Sequence, residues 1–141
     1  MCRAAGNGKS FSRNVSWYIL HIVKMPGKLF GAAILGDFEL LVLIALFRLG
    51  NGAYGAEIQR DIETRTGRRL QASVVYVTLQ RLEDKRLVCS YIGNPTAARG
   101  GRRRKHFLMD EEGQRALARA FVTFEAMTEG LKEGLTALAR G

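Results

Sequence analysis

The spacing of apolar residues changes character along this chain, and that change constrains the fold more than any other feature. Phe38, Leu41, Val42, Ala45, Leu46 and Leu49 recur at helical spacing until Gly50-Asn51-Gly52, which predicts a buried first helix with Asp37 as its N-cap. Tyr54-Gly55 opens a second, shorter segment in which Ile58 and Ile62 share a face, and Thr66-Gly67 ends it. A third helix is predicted from Ser73, a good N-cap, with Val74, Val77 or Thr78, Leu79 and Leu82 spaced along SVVYVTLQRLEDK. The period then shortens. Leu87 to Ile92 alternates, Gly93-Asn94-Pro95 and Gly100-Gly101 interrupt, and Arg104 to Met109 reads as a return strand, giving a hairpin with a long basic tip. After the acidic start Asp110-Glu111-Glu112, the residues Leu117, Phe121, Phe124, Thr128, Leu131, Leu135 and Leu138 follow steps of four and three, the mark of one long amphipathic helix. About thirty residues at 1.5 Å each make roughly 45 Å, longer than a core of this size covers, so the apolar seam calls for a partner.

Charge says what that partner set includes. The 141 residues carry 22 Lys and Arg against 13 Asp and Glu, a net charge of +9, which directs the chain to an anionic partner. The excess is regional: +5 over residues 1–36, −2 over 37–67, +8 over 68–106 and −2 over 107–141. The third block sets Arg68, Arg69, Arg81, Lys85, Arg86, Arg99, Arg102, Arg103, Arg104 and Lys105 against only Glu83 and Asp84, the electrostatic footprint of phosphate binding. Apolar residues at 47% are too many for a wholly disordered chain. Only Cys2 and Cys89 are present, with no CxxC or His pairing that would suggest a metal site, and both read as free thiols in a reducing cytoplasm. Arg48 interrupts the longest apolar run, Phe38 to Leu49, so stable membrane insertion is not expected.

Helix, helix, helix, basic-tipped hairpin and long helix is the order of a winged helix-turn-helix, mostly α with a small β-hairpin wing and a long C-terminal dimerisation helix appended. Within that order, LGDFELLVLIAL (35–46), AYGAEI (53–58), VVYVTLQRLEDKRLV (74–88), GNPTAARGGRRRKHFLM (93–109) and DEEGQRAL (110–117) resemble successive signatures of the PadR family of transcription regulators. The resemblance spans about residues 35–120, and the VYxTLxRLE string followed by a Gly-Gly-Arg wing is its most specific part. It divides the chain into an N-terminal extension (1–34), a DNA-binding domain (35–109) and a dimerisation helix (110–141). Two departures stand out. Lys85-Arg86-Leu87-Val88 replaces the family's usual KGLV-type turn, and a non-glycine residue at a left-handed position costs about 1 kcal/mol, so that turn is either strained or differently shaped. Asp110 stands where the family commonly has Thr, a swap that keeps N-cap chemistry.

The resemblance implies that the N-terminal half of the third helix faces base edges and phosphates of double-stranded DNA, nominating Ser73, Tyr76, Thr78 and Gln80. Tyr76 is open between a phosphate donor and a ring sealing the core edge. Arg81 and Lys85, four apart, reach one backbone strand or pair with Glu57, Asp61 or Asp84 on neighbouring turns. In the wing, Arg99, Arg102, Arg103, Arg104 and Lys105 surround two glycines that let the backbone approach DNA, and strand alternation turns some of Arg102 to Lys105 away from the groove. Leu117, Phe121, Phe124, Leu131, Leu135 and Leu138 are the expected homodimer seam, where packing outranks a small aromatic effector held between subunits. The implied protein is a bacterial, cytoplasmic repressor acting on a pseudo-palindromic operator.

Two other classes compete: a sequence-indifferent nucleic-acid coat, for which the charge alone suffices, and an interaction module using the long helix, with the basic N-terminus on anionic lipid. No catalytic constellation, cofactor loop or nucleophile motif is present in the sequence, so no enzyme is expected. Residues 1–24 read as sequence upstream of a natural start at Met25 in preference to a signal or membrane-surface segment.

Overall fold

The computed structural model of the protein describes residues 35–94 and 103–141. The N-terminal extension, Arg99 and Arg102 therefore lie outside the described residues. Among the described residues eight elements follow in order: α1 (Asp37–Leu49), β1 (Ala53–Tyr54), α2 (Gly55–Thr66), α3 (Ala72–Asp84), β2 (Val88–Ile92), β3 (Lys105–Met109), α4 (Glu111–Thr128) and α5 (Lys132–Arg140). β3 is the central strand, antiparallel to β1 on one side and β2 on the other.

The core is a three-helix cluster closed by one face of the sheet. Val42, Leu43, Ala45 and Leu46 of α1, Ile58 and Ile62 of α2, and Val75, Leu79 and Leu82 of α3 meet Val88, Phe107 and Met109 from the strands. Alternation along β3 sends Lys105, Phe107 and Met109 toward the helices, while His106 lies across from Tyr54 on β1 and Tyr91 on β2. Those three rings meet, His106 stacked on Tyr91 and edge-on to Tyr54. The imidazole Nδ1 of His106 lies 2.5 Å from the Gly52 carbonyl, which ties β3 to the start of β1.

Three boundaries differ from the sequence expectation. The N-cap of α1 is Gly36, and Asp37 is the first helical residue, because Glu39 turns back to accept the Gly36 N–H at 2.9 Å. Ser73 is not an N-cap either: α3 begins at Ala72 behind Gln71. The cause is Leu70, whose N–H donates to Glu63 at 2.8 Å and whose carbonyl accepts from Gln59 at 2.9 Å, pinning the chain to α2 just ahead of the helix. Tyr54 belongs to the short strand β1, since pairing with β3 captures Ala53 and Tyr54 before α2 starts. Of the two cysteines, Cys89 lies on β2 and Cys2 lies outside the described residues.

The C-terminal segment is two helices where the sequence predicts one. Gly130, at φ +75°, takes the left-handed conformation that glycine adopts without steric cost, and this separates α4 from α5. The first half of α4 belongs to the core: it packs on α1, and Ala116 is buried.

The turn after α3 joins these parts. Arg86 has φ +58°, with its N–H donating to the Glu83 carbonyl (2.8 Å) and the Leu87 N–H donating to the Leu82 carbonyl (2.9 Å). That is a Schellman motif with Arg in the position glycine usually fills, and its apolar pair, Leu82 and Leu87, is buried. The Leu87 carbonyl in turn accepts the Asp110 N–H at 3.0 Å, and a Cβ on Gly113 would sit only 2.0 Å from that same oxygen.

Two stability changes of opposite sign are expected in urea unfolding. Gly113→Ala should destabilise by about 1–3 kcal/mol or more, since backbone must move to admit the methyl group. Arg86→Gly should stabilise by roughly 0.5–1 kcal/mol, the left-handed strain relieved less the entropy glycine adds to the unfolded chain.

Candidate nucleic-acid interface

Helix α3 has a clear inner and outer side. Val75, Thr78, Leu79 and Leu82 form the buried stripe, leaving Ser73, Val74, Tyr76, Val77, Gln80 and Arg81 exposed. Ser73, Val74, Val77, Thr78 and Arg81 line a shallow hollow along the helix. Thr78, a candidate for base contact, is only 4% exposed and donates its hydroxyl to the Val74 carbonyl at 2.8 Å, so that hydroxyl is already used within the helix. Tyr76 presses its ring on the start of α2, where a Cβ on Gly55 would lie 2.7 Å from the tyrosine Cζ. The core-edge role is thus occupied, while part of the ring stays exposed. Gln80 donates to Asp84 at 3.2 Å.

The candidate cations fall into two groups. Lys85 reaches neither Asp84 nor α2; its Nζ lies 2.7 and 2.9 Å from the two carboxylate oxygens of Glu39 on α1. Lys105 bonds Glu83 at 2.8 Å and lies over the Phe107 ring, and Ser90 donates to the same carboxylate. These two lysines bind α3 to α1 and to β3. Arg81, Arg103 and Arg104 are exposed, the last with its guanidinium 4.5 Å above the Tyr54 ring. Arg68 and Arg69, also exposed, lie in the connection leading into α3. Both belong to the basic block, but a loop offers no periodicity from which sequence reasoning could place a side chain.

The seam residues also divide. Leu117 packs partly buried against the core, whereas Phe121, Phe124, Leu131, Leu135 and Leu138 are exposed, Phe124 at 65% and Leu138 at 79%. Among the described residues, no helix is long and apolar enough to cross a membrane, and no His, Cys, Asp or Glu cluster could hold a metal ion.

The ion pairs leave a trace in acid. Burial raises the Glu39 carboxyl, but hydrogen bonds from Lys85 and the Gly36 N–H outweigh it and hold the group below its usual 4.5. Burial also raises Glu83, but hydrogen bonds from Lys105 and Ser90 outweigh it and lower that carboxyl as well. The Leu70 N–H and Gln59 lower Glu63, while burial raises Asp110 at the head of α4.

Three helices closed by a small sheet, with an exposed helix in a basic surround and a hairpin at its side, define a winged helix-turn-helix protein. The family model of the PadR-like transcriptional regulators matches residues 40–119, and the chain belongs to that family. It is accordingly a DNA-binding transcriptional regulator and not an enzyme. A PadR family transcription regulator from Clostridium difficile superposes with a TM-score of 0.57 at 26% identity, covering 71% of this chain and 99% of its own. A PadR family regulator from Eggerthella lenta gives 0.54 at 26% identity, covering 67% and 80%. RosR of H. salinarum, at 20% identity and a TM-score of 0.56 over 77% and 94%, shares the fold. No curated protein matches the sequence.

Lowered carboxylates contribute stability above their unfolded-state pKa and lose it as pH falls through the folded value; the raised Asp110 works in the opposite sense. Thermal stability should therefore decline from about pH 5 downward. The double variant Glu39→Gln, Glu83→Gln should flatten that decline in a melting series, and an unchanged acid slope would show that the two pairs do not carry it.

Proposed function

We propose that the protein is a homodimeric repressor that binds a pseudo-palindromic operator in the cytoplasm and blocks transcription by occupying the promoter. The observation that carries this reading is the outer side of α3. Ser73 and Arg81 stand exposed there, with Arg68 and Arg69 exposed in the connection that leads into the helix, inside the most basic block of the chain. A two-fold dimer would place its two α3 helices in successive major grooves, about 34–36 Å apart. Ser73 and Arg81 are the proposed base and phosphate contacts of α3, and Arg99, Arg102, Arg103 and Arg104 are the proposed backbone contacts of the wing. Lys85 and Lys105 serve as struts, since drawing either to a phosphate would strand a partly buried glutamate.

The exposed apolar side chains of Phe121 and Phe124 on α4 and of Leu131, Leu135 and Leu138 at the start of and along α5 support pairing through these helices. Large apolar side chains left in solvent along both helices cost solubility unless a partner covers them, and a second copy supplies a self-complementary surface.

Replacing Arg102 and Arg103 with Ala should weaken binding to all duplexes and reduce the salt slope by about 0.9 for each phosphate no longer neutralised. Ser73→Ala and Arg81→Ala should instead change which sequences are preferred. Uniform effects from both sets, measured by fluorescence anisotropy over several salt concentrations, would favour a sequence-indifferent coat. For the dimer, Phe121→Glu with Phe124→Glu should yield monomers in sedimentation velocity; a dimer that survives would place the interface elsewhere.

A further inference from the structure

Two aliphatic side chains occupy the outer side of α3 without contributing to the core. Val74 is 44% exposed and Val77 is 52% exposed, one helical turn apart, in the hollow that Ser73 and Arg81 also line. Packing does not account for them, because the neighbouring buried stripe of Val75, Leu79 and Leu82 performs that task. Helix propensity does not either, since valine is a poorer helix former than alanine at an exposed position. Their surroundings are basic, with Arg81 on the same side of the helix and Arg68 and Arg69 in the connection ahead of it.

An apolar pair sharing a hollow with Arg81 matches one feature of double-stranded DNA. In the major groove the edges of the bases carry donors and acceptors, apart from the C5-methyl group of thymine. The first turns of a recognition helix are the part that approaches base edges, and Val74 and Val77 both lie there. Three residues advance about 4.5 Å along a helix, close to the roughly 3.4 Å between successive bases on a strand, so the two side chains reach the same or adjacent base pairs. We infer that Val74 and Val77 read thymine methyl groups, and that each half-site carries thymine at the positions beneath the start of α3. The inference rests on the sequence-specific reading proposed above and adds the chemical identity of what α3 recognises.

The test separates the two. The full chain selects from a pool of random duplexes, and the enriched sequence is then remade with deoxyuridine at each recovered thymine, which removes only the methyl group. Wild-type protein should lose roughly fourfold in affinity per methyl group it touches, the value of one buried methyl. The double variant Val74→Ala, Val77→Ala should bind the thymine and deoxyuridine duplexes alike. Wild-type binding indifferent to deoxyuridine, or a penalty that persists in the double variant, would overturn the inference; if the enriched sequence still depended on Ser73 and Arg81, the sequence-specific reading would stand without it. A pool in which nothing is enriched would overturn both.

Discussion

Helix α3, the proposed recognition helix, is held by the turn at its C-terminal end, and most of the structure converges there. Lys85 is clamped to α1 through Glu39, Arg86 accepts a left-handed backbone, and Leu87 drops into the core. The Leu87 carbonyl then receives the first turn of α4, where only glycine fits. One three-residue turn therefore sets the position of α3 relative to α1, the wing and the proposed dimer helix. A helix that must present side chains to base edges within a fraction of an ångström benefits from such anchoring, because the supporting groups fix its orientation before DNA arrives. The strained Arg86 is consistent with a conformation that its neighbours over-determine.

The basic block serves two purposes that its net charge does not distinguish. Lys85 and Lys105 spend their charge on Glu39 and Glu83, joining three elements edge to edge. Arg68, Arg69, Arg81, Arg103 and Arg104 remain exposed. The planar guanidinium left exposed is the group suited to phosphate and base edges, which it can meet with two parallel hydrogen bonds. Lys105, the first residue of β3, is directed to Glu83 on α3, while Arg104, just ahead of the strand, lies over Tyr54.

Much of this is legible in the sequence. The apolar spacing of Phe38 to Leu49 and the Leu79 and Leu82 pair locate α1 and α3, and the shift to alternation locates the hairpin. The lysine-arginine-leucine turn stands out only against the family's usual glycine, since nothing local in the sequence marks Arg86 as left-handed; the structure supplies that. Non-local features are not legible. Glu39 and Lys85 are 46 residues apart, and nothing in the spacing pairs them. The strand at Ala53–Tyr54 has two residues, too few for any period, and exists only because β3 offers an edge. The heptad-like run through Leu131 hides the break at Gly130, since apolar spacing persists across a turn that a single left-handed glycine can make. Val74 is an inward residue by type, yet geometry puts it outside.

In the proposed complex, DNA meets the outer side of α3 and the wing while the lysine struts stay intact. A residue-resolved NMR titration of the isotope-labelled full chain with a short duplex tests this most directly. Backbone amides should shift over residues 68–81 and in the wing, and the Lys85 and Lys105 ammonium signals should remain those of the free protein. Shifts concentrated instead on the exposed face of α4 and α5 or in residues 1–24, or loss of the lysine pairs on binding, would contradict it.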